Sequence, residues 1–142
     1  MRVSQILRNK GSDVVVIGPT ATVEELVSLL TQHNLGAVVV SDDGTSVTGL
    51  VSERDVIRRL ADGVSVLKEP VSSIMTSAVH VCGMSDSVES LMSVMTERRV
   101  RHVPVVTDEQ QLCGIVSIGD VVKSTITQLE FERDQLQGYV TS

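Results

Sequence analysis

Aromatic residues are nearly missing: one Tyr, one Phe and no Trp in 142 residues. Without aromatic platforms the chain does not stack single-stranded bases. Its core has to be aliphatic, built from Val, Leu, Ile and Met. Positive charge is scarce too. Twelve Lys and Arg against 18 Asp and Glu give a net charge of −6, which disfavours a broad footprint on a polyanion. The two cysteines, Cys82 and Cys113, fit neither a metal-ligand spacing nor a disulfide framework. They are expected as reduced, partly buried thiols of a cytoplasmic protein. No apolar run reaches the roughly 18–20 residues of a membrane span, and Met1–Leu7 does not read as a signal peptide. No Gly-x-Gly-x-x-Gly follows a strand, and no Gly-Lys-Ser/Thr occurs. No nucleophile–His–acid set has motif context, and no His, Cys and Glu cluster has metal spacing. The expectation is a chain that is not an enzyme.

What the chain does have is a duplication. Gly49-Leu50-Val51-Ser52-Glu53-Arg54-Asp55 returns 65 residues later as Gly114-Ile115-Val116-Ser117-Ile118-Gly119-Asp120. The same offset holds without a gap for Val23/Val88, Glu24/Glu89, Leu26/Leu91, Val38/Val103, Val40/Val105 and Val56/Val121. Two copies have to be explained together. Each at roughly 60 residues would be marginal alone.

Each copy reads as β-α-β-β-α. In the first, Val3–Leu7 is a short leading helix and Val14–Ile17 a strand. Thr22, with Glu25 three residues on, opens a helix with Val23, Leu26, Val27, Leu29 and Leu30 inward. Ala37–Val40 and Val47–Val51 form a hairpin. Ser52 caps a helix carrying Val56, Ile57 and Leu60. Asp62–Pro70 is a linker, so the copies divide at 1–69 and 70–142. In the second, Val71–Met75 is the short helix and Val79–Val81 the strand. Ser85 or Asp86 caps a helix with Val88, Leu91, Met92, Val94 and Met95 inward. Val103–Val106 and Leu112–Val116 form the hairpin. The last helix runs to about Leu136. Val121, Val122, Ile126, Leu129 and Leu136 form one stripe, and its last turns, without a partner within the fold, point to a second subunit.

The duplicated G-h-h-S/T-x-x-D motif after a helix and an apolar hairpin resembles a tandem pair of cystathionine-β-synthase (CBS) domains, the Bateman module. Ser52-Glu53-Arg54-Asp55, Met75-Thr76 and the run from Met95 to Val106 carry the likeness, with Gly114–Lys123. The resemblance implies an α+β fold, an α/β sandwich of tandem βαββα repeats about a pseudo-two-fold axis. It implies two clefts for adenosine-containing ligands and a homodimer that regulates a protein partner still to be identified. Asp55 and Asp120 would take the ribose hydroxyls, and Ser52 and Ser117 would approach phosphate. Strand backbone and aliphatic side chains would receive adenine: Ala37 and Val38 in one copy, Val79, His80, Val103 and Pro104 in the other.

Arg98, Arg99, Arg101 and His102 are the densest basic cluster of this acidic chain. Arg98 and Arg99 suit a helix C-terminus. Arg101 and His102 enter an apolar strand, and phosphate contact explains them better. The first copy has Gly36 and Ala37 there. Its cleft is therefore expected to lack the basic pair, with Arg54 a partial substitute. The leading expectation is an energy-sensing module binding AMP, ADP, ATP or NAD(H), with no nucleic-acid or membrane partner. The alternatives are a dimerisation module with vestigial clefts and nucleic-acid binding through Arg98–His102.

Overall fold

The computed structural model describes residues 1–141. It begins with helix α1, Val3–Lys10. Strand β1 (Val16–Ile17), helix α2 (Val23–His33), strands β2 (Ala37–Val40) and β3 (Gly49–Ser52), and helix α3 (Glu53–Leu60) follow. Two 3-10 turns, Val64–Lys68 and Val71–Ser73, lead into the second copy. That copy has β4 (Cys82–Gly83), α4 (Val88–Arg98), β5 (His102–Val106), β6 (Leu112–Ser117) and α5 (Ile118–Thr141). This is the expected mixed α+β architecture, built twice.

Each copy makes one three-stranded sheet, β1-β2-β3 or β4-β5-β6. The middle strand is parallel to the first and antiparallel to the third. Registers match across copies: Ile17 pairs with Val40 as Cys82 pairs with Val105, and Ala37 faces Ser52 as His102 faces Ser117. Helices cover one face of each sheet. Val38, Val40 and Val51 join Val23, Leu26 and Val56 in one aliphatic core, and Val103, Val105 and Val116 join Val88, Leu91 and Val121 in the other. Successive strand residues point to opposite faces. Ala37, Val39, His102 and Pro104 are thus turned away from their own helices, and Val39 is fully buried there.

Packing crosses the boundary expected at 69/70. Val3, Ile6 and Leu7 of α1 lie in the core of the second copy, and Val71 and Ile74 in that of the first. Main-chain bonds fix the exchange: Val3 N–H to Asp86 O at 2.9 Å, Val88 N–H to Met1 O at 2.9 Å and Val71 N–H to Ala21 O at 2.8 Å. Two glycines permit it. A Cβ on Gly114 would stand 2.6 Å from Leu7 Cδ1, and one on Gly49 2.6 Å from Met75 Sδ.

Several local expectations are corrected. The strand placed at Val79–Val81 forms at Cys82–Gly83, where β5 offers partners, and Val81 is exposed. The cap of α4 is Ser87, not Ser85 or Asp86. Asp86 instead accepts the Gly83 N–H at 2.8 Å. The duplication's own offset gives both answers, since Ile17 maps to Cys82 and Thr22 to Ser87. Val71–Ser73 is a single 3-10 turn, and α5 runs past Leu136. Val27 and Met92, expected inward, are exposed, as are Ile57 and Leu60 of α3.

Candidate functional site

The two motifs are built by helix capping. Ser52 is extended, at φ −125°, and ends β3 as it opens α3. Its N–H and Oγ both donate to Asp55 Oδ2, at 2.8 and 3.1 Å, while Asp55 N–H returns a bond to Ser52 Oγ at 3.4 Å. This is a capping box with Asp in the place of Glu. Ser117 and Asp120 repeat it at 2.8, 3.0 and 3.2 Å. Each motif is tied to the entry of the neighbouring strand, Glu53 N–H to Gly36 O at 2.9 Å and Ile118 N–H to Arg101 O at 2.8 Å.

Around Asp55 opens a cleft of about 260 Å³. Ser52, Glu53, Arg54 and Arg58 line it from the first copy; Thr76, Arg99, Arg101 and His102 line it from the second. The basic pair, expected to be lacking from the first copy's cleft, therefore lines it beside Asp55. The reason is topological. The unpartnered faces of the two sheets meet, so the entry of β5 crosses to the opposite motif. A Cβ on Gly36 would lie 3.6 Å from His102 Cε1. A larger residue at 36 would crowd the imidazole.

Arg99 reaches the cleft through an unusual backbone. It closes α4 in the left-handed region at φ 55°, as Asn34 closes α2 at φ 53°. Asn tolerates that conformation and Arg does not, at a cost of about 1–2 kcal/mol. Such outliers cluster at ligand sites. Burial lowers the His102 pKa and Lys10 lowers it further; Asp120 and Glu53 oppose them, and Arg101 adds to the fall. The imidazole is thus held neutral at pH 7, and an arriving anion favours its protonation.

Asp120 sits differently. Its cleft is about 130 Å³, lined by Asn9, Lys10, Lys123, Ser124 and Thr127 among others. Lys10 Nζ donates to Asp120 Oδ2 at 2.7 Å and to Ile115 O at 2.8 Å. Burial raises the Asp120 pKa, but the Lys10 and Ser117 bonds outweigh it and leave the carboxyl below its ordinary range.

The cleft at Asp55 gathers Ser52, Arg54, Arg101 and His102; Ser117 and Asp120 form the second motif. Val38 and Val103 are each 1% exposed and packed into the two cores. Ala37 and Pro104 are buried on the strand face between the copies, and Val79 and His80 lie half-buried ahead of β4. Sequence reasoning missed Arg58, Thr76, Arg99, Lys10 and Lys123. Arg58 and Lys123 carry a readable signal, a cation at the same offset of 65 three residues after each Asp. Lys10 carries none, because only the exchanged packing of α1 brings it to Asp120. Among the described residues, no group of His, Cys, Asp and Glu is placed to hold a metal ion, and no helix is long and apolar enough to cross a membrane.

The family model described as the CBS domain matches residues 3–62 and again 71–126. A CBS-domain-containing protein of Agrobacterium tumefaciens is 41% identical, with a TM-score of 0.84 over 88% of this chain and 99% of that one. The mitochondrial CBS-domain-containing protein CBSX3 of Arabidopsis thaliana is 32% identical over 97% of this chain and 71% of its own length. A CBS domain protein of Pyrobaculum aerophilum, solved complexed with AMP, is 30% identical with a TM-score of 0.76, over 84% of this chain and 89% of that one.

Proposed function

This chain belongs to the CBS-domain family as a tandem pair, and from that premise we propose that it is a non-catalytic regulatory module whose ligand is an adenine nucleotide. The observation that carries the reading is the Asp55 cleft. In a chain of net charge −6, it collects Arg54, Arg58, Arg99, Arg101 and His102 around the Asp55 and Glu53 carboxylates. Both cap bonds of Asp55 fall on Oδ2. Oδ1 is left for the ribose hydroxyls. The guanidiniums supply forked donors for phosphate oxygens. Four of them suit a charged tail such as that of ADP, ATP or NADH, and AMP engages fewer. The relative from Pyrobaculum aerophilum holds AMP, which supports the ligand class.

Titration calorimetry with AMP, ADP, ATP, NADH and S-adenosylmethionine tests this. The phosphorylated ligands bind, most tightly those with the longest anionic tail. The sulfonium ligand binds weakly, because its cation meets like charge. Silence from every ligand at millimolar concentration would leave a paired scaffold with vestigial clefts.

The module works as a homodimer. The groove between α2 and α3, lined by Val27, Leu30, Val56, Ile57 and Leu60, is apolar and open. Met92 and Val122 show the corresponding exposure on α4 and α5. A second copy covers both faces by one two-fold operation. Burial pushes the Cys82 thiol up to about 12, Asp86 and Cys113 adding to it, and such inert thiols suit a reducing cytoplasm. Nucleic-acid binding would draw on the same arginines and predicts a steep salt dependence; the acidic balance favours the nucleotide.

A further inference from the structure

The two carboxylates have the same capping geometry, yet only one has a cation on it. Asp55 Oδ2 accepts two bonds, both from Ser52. Asp120 Oδ2 accepts the same two from Ser117 and a third from Lys10, at 2.7 Å. The Lys10 ammonium is held in place by Ile115 O, at 2.8 Å. It spans from the end of α1 to β6 and to the first turn of α5. At about 130 Å³ the Asp120 cleft has half the volume of its counterpart. A nucleotide whose ribose is to bond Asp120 therefore needs Lys10 out of the way. Asn34, Gly36 and Ala37 occupy the positions corresponding to Arg99, Arg101 and His102. The duplication therefore assigns the Asp120 cleft no arginine fork from across the axis to compensate.

We propose that Lys10 sets the occupancy of the second cleft: its ammonium is an internal cation that competes with ligand hydroxyls for Asp120, so the chain takes a single nucleotide. This rests on reading the motif carboxylates as ribose acceptors. The competitor comes from α1, which also packs on the second core. Displacing Lys10 breaks a link between α1 and α5, so filling this cleft loosens the leading helix.

The test is stoichiometry. ATP is titrated calorimetrically into wild type, Lys10→Met, Lys10→Arg and the double variant Asp55→Asn/Lys10→Met, each checked by thermal melting. Wild type and Lys10→Arg are expected to bind one ATP per chain. Lys10→Met is expected to bind two, and Asp55→Asn/Lys10→Met one, at the opened cleft. If Lys10→Met does not fold, Lys10→Gln, which keeps a donor for Ile115 O, replaces it with the same expectation. Two ATP per wild-type chain, or one per Lys10→Met chain, would overturn the proposal. No heat from wild type would instead overturn the nucleotide reading, and the two failures are thereby distinct.

Discussion

Ser52–Asp55 and Ser117–Asp120 have the same backbone, the same caps and cap distances within 0.2 Å of each other. Their surroundings share one cation, Arg58 or Lys123 three residues after the acid, and otherwise differ. One carboxylate looks across an open cleft at arginines from the other copy; the other is in contact with a lysine from the leading helix. Duplication has kept what the main chain encodes, a strand end turned into a helix by a serine. The side chains that arrive from elsewhere have diverged. A cleft between copies belongs to both, so a substitution in one copy alters the site that bears the other's motif.

The largest expected separation comes from the acids. Asp55→Asn should weaken ATP binding roughly ten- to a hundredfold, the scale of a charge-assisted hydrogen bond worth about 1.5–3 kcal/mol. Asp120→Asn should leave that first binding event unchanged. Calorimetry showing equal losses would erase the distinction between the clefts. Arg101→Ala follows, at about tenfold for ATP and little for adenosine, because the guanidinium addresses phosphate; equal losses for both would assign Arg101 a structural role. Arg99→Asn sharpens the contrast from the side of stability. It gives the second copy the residue that Asn34 supplies in the first, and relieves about 1 kcal/mol of left-handed strain. Thermal melting should rise by a few degrees while ATP affinity falls severalfold. A lower melting temperature would show that Arg99 holds the fold as well.

The smallest effect is the pH response of the Lys10–Asp120 pair. A carboxyl whose folded pKa is depressed contributes stability above its unfolded value of about 3.9, lost as pH falls through the folded value. With side chains 35% and 23% exposed, solvent screens the pair to about 0.2–1 kcal/mol. The melting difference between wild type and Lys10→Met should therefore be present at pH 6 and fade toward pH 3. A constant difference would assign it to packing by the lysine stem.

The repeat order, both hairpins, the capping serines and the motif acids were legible in the sequence. They rest on local chemistry, a hydroxyl before a helix or a run of valines, that acts within a few residues. The partners were not legible. Arg101 and His102 read as belonging to their own copy because sequence places them there, whereas strand alternation and the meeting of two sheets send them across. Lys10 and Asp120 are 110 residues apart and share no motif. Arg58 read as a solvated helix face, since a cleft wall and a wet surface carry the same residue types. The 65-residue offset points to Cys82 and Ser87, against the local apolar pattern.

The exchange of leading segments implies a history as well as a shape. Neither half completes its interior without a piece of the other, so an ancestor with one copy had to borrow that piece from a second chain. Tandem fusion made the loan internal, and an assembly once governed by concentration became a unimolecular fold. Cutting the linker between Leu60 and Val71 should return that dependence, leaving two fragments whose stability rises with the amount of each other present.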